Sequence, residues 1–209
     1  MSASTTISAS GVPFSTGPFE AVVVGASLGG PGVIQRLLAA LPASFPLPIA
    51  ICQHMTDGIT GAWAERLDHA VPLEVIEAYD RAAFEPGCVY IGPAGRHLTV
   101  ERGPHGLRLR LRADTTGAHH VPSIDALFAS AADTVGSGAV AVLLTGLGHD
   151  GADGMTRVRN SSGYTIAQSS EEASAASMPD SADARGAVVE RLGIGEIAQR
   201  LVELTSSAR

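Results

Sequence analysis

Residues 21–25 run Ala-Val-Val-Val-Gly without a polar side chain, the chain turns through Ala26-Ser27-Leu28-Gly29-Gly30, and apolar residues then recur at helical spacing over 31–41. A short β-branched run of this kind reads as a strand buried on both faces. Pro31, just inside the next element, suits a helix start because that position needs no backbone donor. Strand, glycine-rich turn and helix in this order form half of a βαβ unit. Its repetition along a chain obliges parallel pairing, because the crossover returns each strand in the same direction.

The unit does repeat. A strand over 48–53 leads into a helix over about 58–69, and short strands follow at 73–77 and 89–91. Residues 98–101 and 107–112 flank the turn Gly103-Pro104-His105-Gly106 and predict an antiparallel hairpin inserted into the parallel scheme. Its second arm alternates Leu and Arg, so Arg108, Arg110 and Arg112 share one face, suited to an acidic partner or to a solvated edge. A helix over 122–135 precedes the most apolar strand of the chain, 139–144, which is expected mid-sheet. A helix over 152–160, a strand over 164–167 and a helix over about 194–204 complete the pattern, while 169–185 fits either a loop or a weak helix. The predicted fold is α/β: a doubly wound, mostly parallel sheet with helices on both faces and an inserted β-hairpin. Residues 1–18, rich in Ser, Thr, Ala and Gly, read as a flexible tail, and 19–209 as one domain.

Composition removes several functions. All 14 basic residues are arginine, and without lysine there is no Schiff-base chemistry, pyridoxal enzyme or Walker A loop. A formal charge of -7 argues against a nucleic-acid partner held by a general positive field. Cys52 and Cys88 lie in apolar runs and read as reduced thiols rather than a disulfide or metal framework. No apolar run reaches the ~18 residues of a membrane span, and the N-terminus lacks signal-peptide features, so a cytoplasmic location without membrane insertion is expected.

In an open doubly wound sheet the working site lies beyond the carboxyl ends of the strands. Three such ends carry Ser27, His54 and Asp150. A hydroxyl, an imidazole and a carboxylate are what nucleophilic acyl transfer requires, and the helix from Pro31 points its amides at the same place. Two other readings remain. The glycine-rich turn resembles a dinucleotide-binding turn, but Gln53 and His54 stand where an acidic residue would hold the ribose. A metal site from His119, His120, His149, Asp150 and Asp153 has no recognised ligand spacing. No metal or other cofactor is therefore expected.

The motifs Val24-Gly25-Ala26-Ser27-Leu28-Gly29-Gly30, Gln53-His54-Met55, Tyr90-Ile91-Gly92-Pro93-Ala94-Gly95-Arg96-His97, Pro122-Ser123-Ile124-Asp125 and the stretch from Leu144 to Met155 resemble the catalytic domain of the bacterial chemotaxis protein-glutamate methylesterase over about 19–204. The resemblance implies Ser27 as nucleophile, His54 as general base and acid, and Asp150 as the carboxylate orienting it. Leu28, Gly29, Met55, His120, Leu147 and Gly148 become substrate or oxyanion candidates. The implied reaction is hydrolysis of glutamate γ-methyl esters on the cytoplasmic helices of a methyl-accepting chemoreceptor, releasing methanol, with glutamine deamidation in some members. The chain departs from the family at Leu28, Leu147, His149 and the segment 118–121, which keeps open a receptor-binding or nucleotide-binding module of the same fold. The first 18 residues are too few for the family's usual receiver domain, so the expectation is a stand-alone form or a fragment.

Overall fold

The structure, a computed structural model, describes residues 5–7, 13–15, 17–115, 117 and 119–206. In chain order the elements are β1 (Thr5–Ile7), β2 (Pro13–Ser15), β3 (Ala21–Ala26), α1 (Gly30–Ala39), β4 (Ile49–Gln53), α2 (Thr60–Asp68), β5 (Glu74–Glu77), β6 (Cys88–Ile91), β7 (His97–Gly103), β8 (Gly106–Arg112), α3 (Ile124–Val135), β9 (Ala139–Leu143), α4 (Ala152–Asn160), β10 (Tyr164–Gln168), α5 (Ser177–Ala184), β11 (Glu190–Leu192) and α6 (Ile194–Ser206).

Seven parallel strands form one sheet in the order β11-β10-β9-β3-β4-β6-β5, with β3 at its centre. The two-residue period of a strand sorts its side chains between two cores. Val22, Val24, Ile49, Ile51, Val140 and Val142 face α1, α2 and α6, with Leu37, Trp63 and Leu201 in that layer. Ala21, Val23, Ala50, Cys52, Ala139 and Ala141 face α3, α4 and α5. The second face is built of small residues, and it lets α3 lie close on the sheet. A Cβ on Gly25 would sit 2.3 Å from Ile124 Cγ2, so only glycine admits the start of α3 at this strand end.

The hairpin is present, but it does not join the parallel sheet. β7 and β8 form a separate two-stranded sheet, and β8 is further bridged to the segment around Ala83. Its apolar face, with Leu98, Val100 and Leu109, packs in the second core, and α3 takes its backbone groups: Val100 N–H donates to Ser130 Oγ at 2.9 Å and Thr134 Oγ1 donates to Val100 O at 3.0 Å. The three arginines on its other face share two carboxylates of the chain, Glu101 and Asp80. Arg108 Nε donates to Glu101 at 2.6 Å, Arg110 Nε to Asp80 at 2.8 Å and Arg112 to Glu101 at 3.4 Å. Partners so placed commit Arg108 and Arg110 within the chain, so the basic face read from the sequence is largely offset by its own acids.

Three further differences have local causes. Segment 169–185 contains α5, whose Met178, Pro179 and Ala182 are buried; those three residues stabilise a helix too polar to be legible by periodicity. β11, three half-buried residues on the sheet edge, has no alternation to betray it. Within the expected tail, Thr5–Ile7 and Pro13–Ser15 pair antiparallel; Thr5, Thr6, Ile7 and Phe14 are strand formers, but they are scattered through a Ser-rich composition, and residues 1–4, 8–12 and 16 lie outside the described residues.

Candidate active site

The parallel register puts Ala26 opposite Gln53 and Gly25 opposite Leu143, so the residues after β3, β4 and β9 emerge at one edge. Backbone bonds extend that alignment beyond the strands. Ser27 N–H donates to Thr145 O at 2.9 Å and His54 N–H donates to Ala26 O at 3.0 Å. Gln53, buried at the end of β4, then ties the two functional positions together: its Nε2 donates to Ser27 O at 2.8 Å and to His54 O at 2.9 Å. A Cβ on Gly30 would lie 1.9 Å from Gln53 Oε1, so glycine is what makes room for this clamp. On the other side Thr145 Oγ1 donates to Leu28 O at 2.9 Å. Gln53→Leu removes the side-chain donor that links the two carbonyls, leaving Ser27 O with the Gly30 amide alone; it is expected to cost ~1–3 kcal/mol in thermal unfolding and to slow any reaction using Ser27 by ~10-fold or more.

His54 Nε2 lies 2.8 Å from Asp150 Oδ2, with the two side chains 11% and 10% exposed. The carboxylate has three further donors: the Ile124 amide at 2.9 Å on Oδ2, and on Oδ1 the Asp125 amide at 2.9 Å and Ser123 Oγ at 3.1 Å. Asp150 therefore sits on the N-terminus of α3, where free amides and the helix dipole favour a negative charge. Burial works against its ionisation, but the bonds from His54 and from the Asp125 and Ile124 amides prevail and hold it well below the usual carboxylate range. With Nε2 committed to Asp150, His54 Nδ1 is buried and, among the described residues, has no hydrogen-bond partner.

Ser27, Leu28, Gly29, His54 and Met55 line one open cleft of about 580 Å³. Leu28 and Leu147 are exposed large apolar residues at this edge, at 55% and 59%. His120 and Gly148 line a neighbouring cavity of about 240 Å³ with Asp150. The His120 ring stacks on that of His54, centroids 4.1 Å apart. The Gly148 amide already donates to Ser177 Oγ at 3.1 Å, which removes it as an oxyanion donor in this arrangement. A larger cavity, about 630 Å³, opens at the opposite end of the sheet between Phe19, Phe84 and the turn of the hairpin, away from all of these groups.

The family model described as CheB methylesterase matches residues 22–201. The chain belongs to the CheB methylesterase family. It is 45% identical over 196 residues to a protein-glutamate methylesterase/protein-glutamine glutaminase of Anaeromyxobacter dehalogenans, covering 92% of this chain and 56% of the relative. It is 40% identical over 186 residues to the protein-glutamate methylesterase FrzG of Myxococcus xanthus, covering 89% and 55%. The chain thus spans about half the length of these relatives. The crystal structure of the Thermotoga maritima CheB methylesterase catalytic domain superposes with a TM-score of 0.86 at 34% identity, covering 90% of this chain and all of that one.

In this CheB methylesterase family member four of the five residues weighed as metal ligands, His119, His120, His149 and Asp150, line the cavity of about 240 Å³, and the fifth does not. Asp153 pairs with Arg185 at 3.1 Å, and among the described residues no three His, Cys, Asp or Glu converge so as to hold a metal ion. Sequence reasoning met four residues that shape the site, Gln53, Ser123, Asp125 and Thr145, inside motifs but gave them no part in it. Only Ser123 and Asp125 carried a local signal, a cap and an acidic first turn after Pro122. Asp125 Oδ1 accepts from the Gly151 and Gly154 amides at 2.9 and 2.7 Å. Burial first, against those amide bonds, and then the Asp150 charge push the Asp125 carboxyl up to about 6. A raised acid favours the folded state below its unfolded pKa near 3.8 and loses that contribution as pH rises through 6. The melting temperature of Asp125→Asn relative to wild type should accordingly rise between pH 4 and pH 7, by a few degrees; a pH-independent difference would count against this account.

Proposed function

We propose that residues 19–209 form the catalytic domain of a protein-glutamate methylesterase that demethylates glutamate γ-methyl esters on the cytoplasmic helices of a methyl-accepting chemoreceptor. The observation that carries this reading is the division of labour on His54: one ring nitrogen held by a buried, ionised carboxylate, the other unspent beside the cleft that Ser27 lines. Ser27 Oγ attacks the ester carbonyl carbon while its proton passes to His54 Nδ1, and Asp150 stabilises the imidazolium. The Leu28 amide, in the turn just before the Gly29 cap of α1, takes the oxyanion in this reading, and the helix dipole adds to it. The tetrahedral intermediate collapses, and His54 returns the proton to the departing methoxide, giving methanol and a glutamyl ester on Ser27. Water then attacks that ester with His54 again taking one proton, which returns to Ser27 Oγ as the glutamate leaves as its acid, whose remaining proton passes to solvent to give the carboxylate. The same steps applied to a glutamine side chain expel ammonia, in keeping with the double name of the Anaeromyxobacter relative.

No step requires a metal or cofactor. The site of action is the cytoplasm, where the receptor helices lie, and among the described residues no helix is long and apolar enough to cross a membrane. The test is methanol release from methylated chemoreceptor cytoplasmic fragments. Release is expected with at least one receptor; a folded protein that releases none from a panel of methylated receptors would overturn the reading.

A further inference from the structure

Helices α3 and α4 exchange carboxylates. Asp150, the second residue before α4, accepts two amides at the start of α3, and Asp125, the second residue of α3, accepts two amides at the start of α4. The residue at the cap of α4 is Gly151, which has no side chain to satisfy that helix, so the acceptor comes from the neighbouring one. The Gly151 N–H belongs to the peptide that leaves Asp150. Asp125 therefore grips the backbone directly after the residue whose side chain holds His54.

We propose that Asp125 is a positioning residue of the triad, fixing the turn that carries Asp150 so that Oδ2 meets His54, while Asp150 in return fixes the helix that carries Asp125. The inference rests on the triad reading of Ser27, His54 and Asp150. Its physical basis is that all four donors to Asp150 come from other parts of the chain: three from 123–125 and one from His54. A shift of the 150–151 backbone relative to α3 would turn the carboxylate plane away from the imidazole, whereas the two bonds from Gly151 and Gly154 to Asp125 oppose that shift. A misplacement near 1 Å in such a constellation costs on the order of 10²-fold in rate.

The experiment uses hydrolysis of p-nitrophenyl acetate, a small activated ester, by Asp125→Ala, Asp125→Ser and Asp125→Asn, together with the downfield proton resonance of the His54–Asp150 hydrogen bond. Asp125→Ala should lower kcat by ~10- to 100-fold with KM changed less than about 2-fold, and shift or abolish the downfield resonance. Asp125→Asn keeps a carbonyl oxygen for the two amides and should recover kcat to within about 3-fold and restore the resonance. Should Asp125→Ala not fold, Asp125→Ser, too short to reach both amides, is read by the same two measurements. A folded Ala or Ser variant with wild-type kcat and an unshifted resonance would overturn the proposal, as would an Asn variant as impaired as Ala. Ser27→Ala separates the two levels: ester hydrolysis that survives it removes the triad reading itself, whereas Ser27-dependent hydrolysis untouched by Asp125→Ala removes the positioning role alone.

Discussion

Ser27→Ala is expected to lower methanol release from a methylated chemoreceptor fragment by ~10³-fold or more while leaving the melting temperature within about 1 °C of wild type. The two halves of the prediction have separate grounds. Loss of the nucleophile removes covalent catalysis, and triad members act as a unit, so no partial triad compensates. The turn, by contrast, is held through Ser27 backbone groups: its N–H donates to Thr145 O, and its carbonyl accepts from Gly30 N–H and Gln53 Nε2. Alanine keeps all three. Both measurements run on the same preparation, and methanol release by Ser27→Ala at the wild-type rate would exclude an acyl-enzyme on this residue.

Asp150→Asn should be nearly as damaging to the reaction and, unlike the serine change, should also destabilise the fold. Each of the four groups around this carboxylate is a donor: His54 Nε2, Ser123 Oγ and the Ile124 and Asp125 amides. An asparagine has one oxygen to accept with, and its NH2 group must face donors whichever way it turns. If the oxygen takes the Oδ1 place, it keeps the Asp125 amide and Ser123 Oγ, while the NH2 group opposes both His54 and the Ile124 amide and the imidazole loses the tautomer in which Nδ1 can accept the serine proton. If it takes the Oδ2 place, it keeps His54 and the Ile124 amide, and the buried Asp125 amide is orphaned at a cost of ~1–3 kcal/mol. A rate loss of ~10³- to 10⁴-fold follows on the triad analogy, together with a drop in thermal stability. A variant with a wild-type rate would mean that the Asp150 contact is structural only. The depressed pKa of Asp150 means that wild type does not mimic this variant at mildly acidic pH, because the carboxylate stays ionised there.

Much of the site was legible from contiguous residues. The strands at 21–25 and 139–144 announce themselves as apolar runs too short for helices, and the rule that ligands meet strand ends at their carboxyl side then selects Ser27, His54 and Asp150 from the 209 residues. The motifs around them led to the same family that the matches over 22–201 establish. None of this required knowing which loop touches which.

The rest depended on partners far apart in the chain. Gln53 looks like a strand-end residue until the fold sets Ser27 O and His54 O against its amide, and Asp125 looks like an ordinary first-turn acid until α4 arrives beside α3. Arg108, Arg110 and Arg112 form a free basic face in the sequence, whereas the structure closes Glu101 and Asp80 over them. Segment 169–185 had no legible period because its helix is stabilised by three buried contacts rather than by its own pattern. The sequence by itself determined the parallel βαβ pattern, the residue types that follow its strands and the family, because period, turn preference and side-chain type are local properties. The tertiary structure alone decided which ring nitrogen of His54 is spent, what Asp150 and Asp125 hold, and which charges are cancelled. Each of those is set by a hydrogen bond or ion pair between segments that only packing brings together.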